Sequence, residues 1–254
     1  MRIALKAFGD VGVRTGRILL AERTLTALGL YDSEAAVGDR RTMPISSLEG
    51  FDVLVTDSAE SLDDLIEKAL ESGLSCVVSE AIGSATVGDR FASAGLTLLT
   101  GANLASGIAE SLAAHEIARS DEELELTIGW TAVGSAGRKG EVLPFPDPVG
   151  ARWGSRVKAK VADPVPTTRY TAATSGSHSA AVARVTGTRS GTVGERIVGV
   201  ADEANHLSAI ALAAGAISVA EGGFPVGHAV PRDGAEPYLE ALLRIGMAVA
   251  TLDL

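Results

Sequence analysis

Near the N-terminus, two glycines and a later acid are spaced to hold a dinucleotide. The run Ala7-Phe8-Gly9-Asp10-Val11-Gly12 lies between a short apolar stretch and a segment of helical periodicity. A G-x-G-x-x-G turn in that position lets a pyrophosphate approach bare backbone and rest on the unpaired N–H groups of a helix start. Ala7 stands at the first glycine position, Gly9 and Gly12 occupy the other two, and Gly16 adds a close-packing position one turn on. Asp32 follows twenty residues after Gly12, where a carboxylate accepts both ribose hydroxyls of an adenosine. The same charge repels a 2′-phosphate, which favours NAD over NADP.

Ligands of doubly wound sheets lie beyond the carboxyl ends of the strands. This adds Ser58 and Ala59, in the turn after the third clear strand, and Gly101 and Asn103, after a later one. The cofactor-binding set is therefore Gly9, Asp10, Val11, Gly12, Asp32, Ser58, Ala59, Gly101 and Asn103. Each has a plainer alternative. The glycine run can be an ordinary strand-to-helix turn, Asp32 a cap, and 101–103 a hinge between domains.

Hydride transfer also needs a group that moves a proton. Of four histidines, His178 is the first candidate, because it enters a strand from the polar segment TAATSGSHSA. His206 opens a long helix and suits a cap or an interface. His115 sits inside a helix, and His228 reads as a loop residue. Arg138 and Lys139, in a flexible glycine-rich loop, suit a substrate carboxylate, with a solvated hairpin turn as the competing reading. Arg152 and Trp153 either line the same cleft or anchor a proline-rich loop. No metal site is expected: the sequence has no His-x-x-x-His pair, cysteine cluster or carboxylate array with ligand spacing. Neither Gly-x-Ser-x-Gly nor a P-loop occurs.

The elements that must position these residues alternate over the first hundred positions. Strands are expected at 2–8, 25–31, 53–56, 74–79 and 96–100, with helices at 13–23, 62–70 and 89–94. Residues 33–50 read as polar turns, with Arg40-Arg41 in a solvated loop. That rhythm predicts a parallel, doubly wound sheet with right-handed crossovers. After a helix at 106–119, strands at 124–132, 155–161, 180–188 and 195–201 follow without long helices between them. They suggest an open, mostly antiparallel sheet. Residues 141–150 hold three prolines and read as an ordered loop. Helices at 203–220 and 236–250 finish the chain.

The net charge of −10 argues against nucleic acid as a partner, since phosphate binding needs clustered Lys and Arg. Aromatics make up 4%, so the core must be built from Ala, Val, Leu and Ile. The single cysteine, Cys76, excludes an internal disulfide and lies in an apolar run, as a small buried hydrophobe would. The N-terminus lacks the features of a signal peptide, and 207–220 is too short to span a bilayer comfortably. A soluble, cytoplasmic protein with no membrane partner is the expectation.

With these residues in view, the chain resembles the two-domain reductases grouped around L-aspartate dehydrogenase, homoserine dehydrogenase and dihydrodipicolinate reductase. The GDVG turn, the strand ending in an acid, VLVTDSAES and ALESGLSCVVSEAIG match in order. The second half looks most like aspartate dehydrogenase: Ser177-His178 enters a strand, a glycine turn and a second strand follow, and Asn205 opens a long helix. The resemblance implies that His178 is catalytic and that Asn205 belongs to the substrate site. It also shows departures. The family's Asn-Pro-Lys-Thr is Asn205-His206-Leu207-Ser208, and the Glu-Lys-Pro run of sugar-type oxidoreductases is Glu80-Ala81-Ile82. The two motifs of dihydrodipicolinate reductase are absent.

The expectation is thus an α/β Rossmann domain over 1–104 and an α+β substrate and oligomerisation domain over 105–202. C-terminal helices over 203–254 pack back on both. The protein would be a homodimer or homotetramer, NAD-dependent with NADP as the other option, acting on a small amino or hydroxy acid. A regulatory protein that kept the nucleotide fold without turnover is the alternative, favoured by the missing lysines.

Overall fold

The computed structural model describes residues 1–7, 9–31, 38–57, 61–82, 85–120, 122–134, 140–158, 165–174, 176–189 and 192–254. Two seven-stranded sheets organise them. The first is built from β1 (Arg2–Lys6), α1 (Gly9–Ala21), β2 (Ala27–Tyr31), β3 (Thr42–Ile45), β4 (Val53–Thr56), α2 (Leu62–Glu71), β5 (Ser75–Val78), α3 (Ala85–Ser93) and β6 (Thr97–Leu99). A later strand, β13 (Gly227–Ala229), completes it. The spatial order is β13-β6-β5-β4-β1-β2-β3, and every pairing among the described residues is parallel. Central β1 and β4 are buried on both faces, so they read as continuous apolar runs rather than as alternation.

A π-helical turn at Leu104–Ala109 and α4 (Glu110–Ala118) lead into the second sheet. Its strands are β7 (Glu122–Ala132), β8 (Gly140–Pro144), β9 (Ala151–Val157), β10 (Thr167–Ala173), β11 (His178–Arg189), β12 (Thr192–Glu203) and β14 (Ala250–Asp253). They lie in the order β14-β12-β11-β7-β10-β9-β8. All neighbours are antiparallel except β7 and β10, which run parallel because the β8–β9 hairpin returns the chain between them. The sheet is open and mostly antiparallel, as expected.

The last helices are α5 (Ala204–Ala220), a 3-10 turn at Pro231–Gly234 and α6 (Ala235–Arg244). α5 is buried nearly all round, which is why it carries almost no polar face. Its small residues admit close packing: a Cβ on Gly215 would stand 2.9 Å from Cγ1 of Val77 and 3.1 Å from Cδ2 of Leu99. One apolar core therefore runs from Ile3, Leu5 and Val55, through Ile210 and Ile217 of α5, to Ile128, Ala183 and Val198 of the second sheet. A second core lies under α2 and α3, and a third lies where Phe145 and Val149 cover the far face of the second sheet. Among the described residues, no helix is long and apolar enough to cross a membrane.

The structure corrects several expectations. The stretch 33–50 contains strand β3, and β10, β13 and β14 are also additional. The strand expected at 155–161 is β9, four residues earlier, so Arg152 and Trp153 lie in a strand instead of after a loop. The proline-rich segment begins as β8. The helix expected over 236–250 stops at Arg244 and gives way to β14. These strands are three to seven residues long, mostly at or next to sheet edges, and partners rather than periodicity hold them. Arg41 is no solvated residue. It donates to the carbonyl of Leu20 at 2.5 Å and to that of Leu25 at 3.4 Å, closing the end of α1, while Asp39 accepts from its Nε at 3.1 Å.

Candidate cofactor and substrate site

The helix α1 begins at Gly9 itself, four residues earlier than periodicity placed it, so the glycine run forms its first turn. Gly9 has φ of 55°, a left-handed conformation that favours glycine, and no atom of the described residues lies within 4 Å of where its Cβ would be. Gly12 is the opposite case. A Cβ there would meet the carbonyl carbon and oxygen of Ala7 at 2.7 Å. The helix therefore presses directly onto the end of β1, and its first N–H groups stand over the carboxyl edge of the sheet. Asp10 is exposed in this turn, and Val11, half-buried, accepts a bond from the Thr15 hydroxyl at 2.8 Å. Open space at Gly9, a helix start and a close approach at Gly12 fit a pyrophosphate. The exposed Asp10 carboxylate opposes it.

Gly101 and Asn103 lie on the same edge, beyond β6, three strand spacings or ~14 Å from β1. Gly101 needs its φ of 76°, and its N–H donates to the carbonyl of Glu80 at 2.8 Å. Asn103 caps the following turn: its side-chain oxygen accepts from the N–H of Ala105 at 2.9 Å and of Ser106 at 3.0 Å. Its amide donates to the carbonyl of Ser79 at 2.6 Å. Asn103 thus holds the ends of β5 and β6 together as a cap and brace. Asp32, Ser58, Ala59, Arg138 and Lys139 lie outside the described residues.

His178 opens β11 and stands directly opposite Glu203, the last residue of β12. Side chains opposite one another on antiparallel strands share a face. Glu203 accepts from Nη2 of Arg14 at 2.9 Å through each carboxylate oxygen. The N–H of Ala204, the first residue of α5, donates to the carbonyl of Ser177 at 2.8 Å. His178 and Asn205, half-buried in the first turn of α5, are therefore brought together. Through Glu203 and Arg14 both are tied to α1, less than two turns from Gly9. His206 follows Asn205 in α5, and its Nε2 lies 3.8 Å from a carboxylate oxygen of Asp202.

The other two histidines are elsewhere. His115 faces Arg119 on α4 at 3.4 Å. His228 belongs to edge strand β13 rather than to a loop, and its Nε2 is 2.8 Å from the hydroxyl of buried Thr100. Cys76 is fully buried, and burial pushes its thiol up to about 12. Among the described residues, no cluster of His, Cys, Asp or Glu is arranged to hold a metal ion.

Arg14 and Glu203 were not singled out from the sequence. The available signal was the position of Arg14, one turn on from Asp10 and on the same helix face. Ser61 was also missed. It enters α2 with φ of 55°, a left-handed backbone at a non-glycine residue on this same carboxyl edge.

No protein-family model matches the sequence, and neither does any curated protein. Among solved structures, the chain is similar to a dihydrodipicolinate reductase from Paenisporosarcina sp. TG-14 with dipicolinate bound. Identity is 10%, coverage is 91% of this chain and 98% of that one, and the TM-score is 0.51. It is also similar to an engineered D-amino acid dehydrogenase bound to NADP+, with 13% identity, 92% and 93% coverage and a TM-score of 0.55. A third is DAP dehydrogenase of C. glutamicum in complex with DAP, with 13% identity, 95% coverage of both chains and a TM-score of 0.56. At these identities the likeness is one of fold. The chain has the two-domain architecture shared by these dehydrogenases and this reductase, a Rossmann sheet joined to an open mixed sheet.

Proposed function

We propose that this protein is an NAD(P)-linked dehydrogenase or reductase acting at the amino- or hydroxy-bearing carbon of a small acid. The observation that carries the reading is the placement of His178. It is a histidine on the second sheet, connected through Glu203 and Arg14 to the glycine turn that fits a pyrophosphate.

The bound nicotinamide supplies the hydride chemistry. In this reading the N–H groups of the turn from Gly9 to Gly12 hold the pyrophosphate, and Asp32 accepts the ribose hydroxyls, favouring NAD. Ser58, Ala59, Gly101 and Asn103 border the dinucleotide. His178 gives or takes the proton at the substrate nitrogen or oxygen. Arg138 or Lys139 pairs with the substrate carboxylate, and Asn205 orients it. We place the protein in the cytoplasm as a homodimer or homotetramer assembled through the open sheet.

One observation favours a second reading, nucleotide binding without turnover. Leu207 occupies the place of the lysine in the Asn-Pro-Lys-Thr pattern, and it is buried at 2% exposure in the main core. That position offers no cation.

A fluorescence titration with NADH and NADPH, repeated on Asp32→Ala, tests the first reading. NADH binding that weakens in the variant supports it and justifies a screen of small amino and hydroxy acids. Binding without turnover on any of them supports the second reading. Failure to bind either nucleotide overturns both.

A further inference from the structure

We propose that Glu203 is a positioning residue: by pairing with Arg14 it fixes the His178 end of the second sheet against the first turns of α1. This deepens the function proposed above and rests on α1 opening the nucleotide site.

Three contacts meet at Glu203. Its carboxylate receives Arg14 Nη2 on both oxygens at 2.9 Å. Its backbone faces His178 across the β11–β12 ladder. Its neighbour Ala204 is bonded to Ser177, so the start of β11 and the start of α5 move as one. The N–H of Glu203 also donates to the Asp202 carboxylate at 2.7 Å.

Arg14 adds the link to the cofactor. Arg14 follows Asp10 by four residues, so the two lie on the same face of α1, one turn apart. Asp10 alone would repel a pyrophosphate, and a cation on the same helix face offsets it. The pair is half-exposed, with 33% and 38% of the two side chains accessible. Its effect is therefore a few-fold rather than all-or-none.

The experiment is a double-mutant cycle with Arg14→Gln, Glu203→Gln and the double variant. Three quantities are read: NADH affinity, hydrogen exchange of the amides of residues 178–182 in nucleotide-free protein, and the melting temperature. A positioning pair predicts that both single variants and the double variant lose NADH affinity equally, by about three- to fivefold. Exchange at the start of β11 rises locally in all three. Arg14→Lys, which keeps the charge, restores most of the affinity.

The proposal is overturned if Glu203→Gln leaves affinity and local exchange unchanged. It is overturned equally if that variant binds NADH more tightly while Arg14→Gln binds it less, because Arg14 would then serve the nucleotide and Glu203 would only restrain it. A fall in melting temperature with no change in affinity or local exchange reduces the pair to a structural one. If the unaltered protein binds neither nucleotide, the function reading fails by itself, and exchange at 178–182 still decides the role of Glu203.

Discussion

Gly12 and Ala7 are pressed so close that a Cβ on the glycine would stand 2.7 Å from the carbonyl carbon and oxygen of the alanine. Both atoms are backbone, so neither can swing aside. Gly12→Ala must push α1 off the end of β1, at a cost of ~1–3 kcal/mol, and tilt the first turn away from the ligand. Chemical denaturation should show the loss, and an NADH titration should show weaker binding. Gly9→Ala meets no atom of the described residues and should lose only the ~1–2 kcal/mol of its left-handed backbone. Native-like binding by Gly12→Ala would remove the close approach from the account of the site.

His178→Asn should separate binding from turnover. The substitution keeps a polar side chain at the half-buried start of β11. NADH affinity should stay within about twofold, while turnover on the substrate found by screening should fall by ~100-fold or more. His206→Asn, one helical turn from Asp202, should change turnover far less. Equal losses in the two variants would point to a shared structural role instead of proton transfer by His178.

Arg169 and Glu110 form an ion pair at 2.5 Å between β10 and the start of α4, with side chains only 9% and 15% accessible. Truncating one partner strands a buried charge. Glu110→Ala or Arg169→Ala should therefore cost ~3–5 kcal/mol by equilibrium unfolding. Replacing both, as Glu110→Leu with Arg169→Met, should cost much less than the sum. Additive losses in that cycle would mean that the two side chains are held by other neighbours and not by each other.

Cys76 should be inert in the folded protein and should shape stability only at high pH. It is fully buried between apolar neighbours, and burial pushes its thiol from 9.0 up to about 12. A thiol-reactive dye should label it only after unfolding. The folded thiol holds its proton more tightly than the unfolded one. Its contribution is therefore complete below pH ~9 and is lost as the pH rises towards 12. Cys76→Ala should flatten that alkaline fall in stability. An unchanged alkaline limb would assign it to other groups, first Tyr238, whose complete burial raises its pKa, and then Tyr170, raised by burial and by its bond to Glu141.

Much of this was legible in the residues, for a physical reason. β4 lies at 53–56 and α2 begins at Leu62, where the sequence placed them, because a buried parallel strand and an amphipathic helix write their period directly into the chain. The glycine turn was legible because a left-handed φ such as that of Gly9 favours glycine, and the contact at Gly12 leaves no room for a Cβ. β3 and β13 were not, because four- and three-residue edge strands owe their conformation to a neighbour. The role of Arg41 was hidden likewise, since an arginine that closes a helix end sixteen or more residues away looks like any surface arginine.

By itself, then, the sequence determined the alternation of strands and helices over most of the first hundred residues, the two kinds of sheet, the turn that begins α1 and His178 as the histidine to examine. These are local properties, set by backbone sterics and by the period of apolar residues. Only the tertiary structure decided that Glu203 stands opposite His178, that Arg14 reaches it from a helix 189 residues away in the chain, and that Asn103 serves as a brace. Strand register and the angle at which α5 packs on α1 set those relations. Both follow from how the small side chains of α5 fill the space between two sheets, which no local stretch of sequence records.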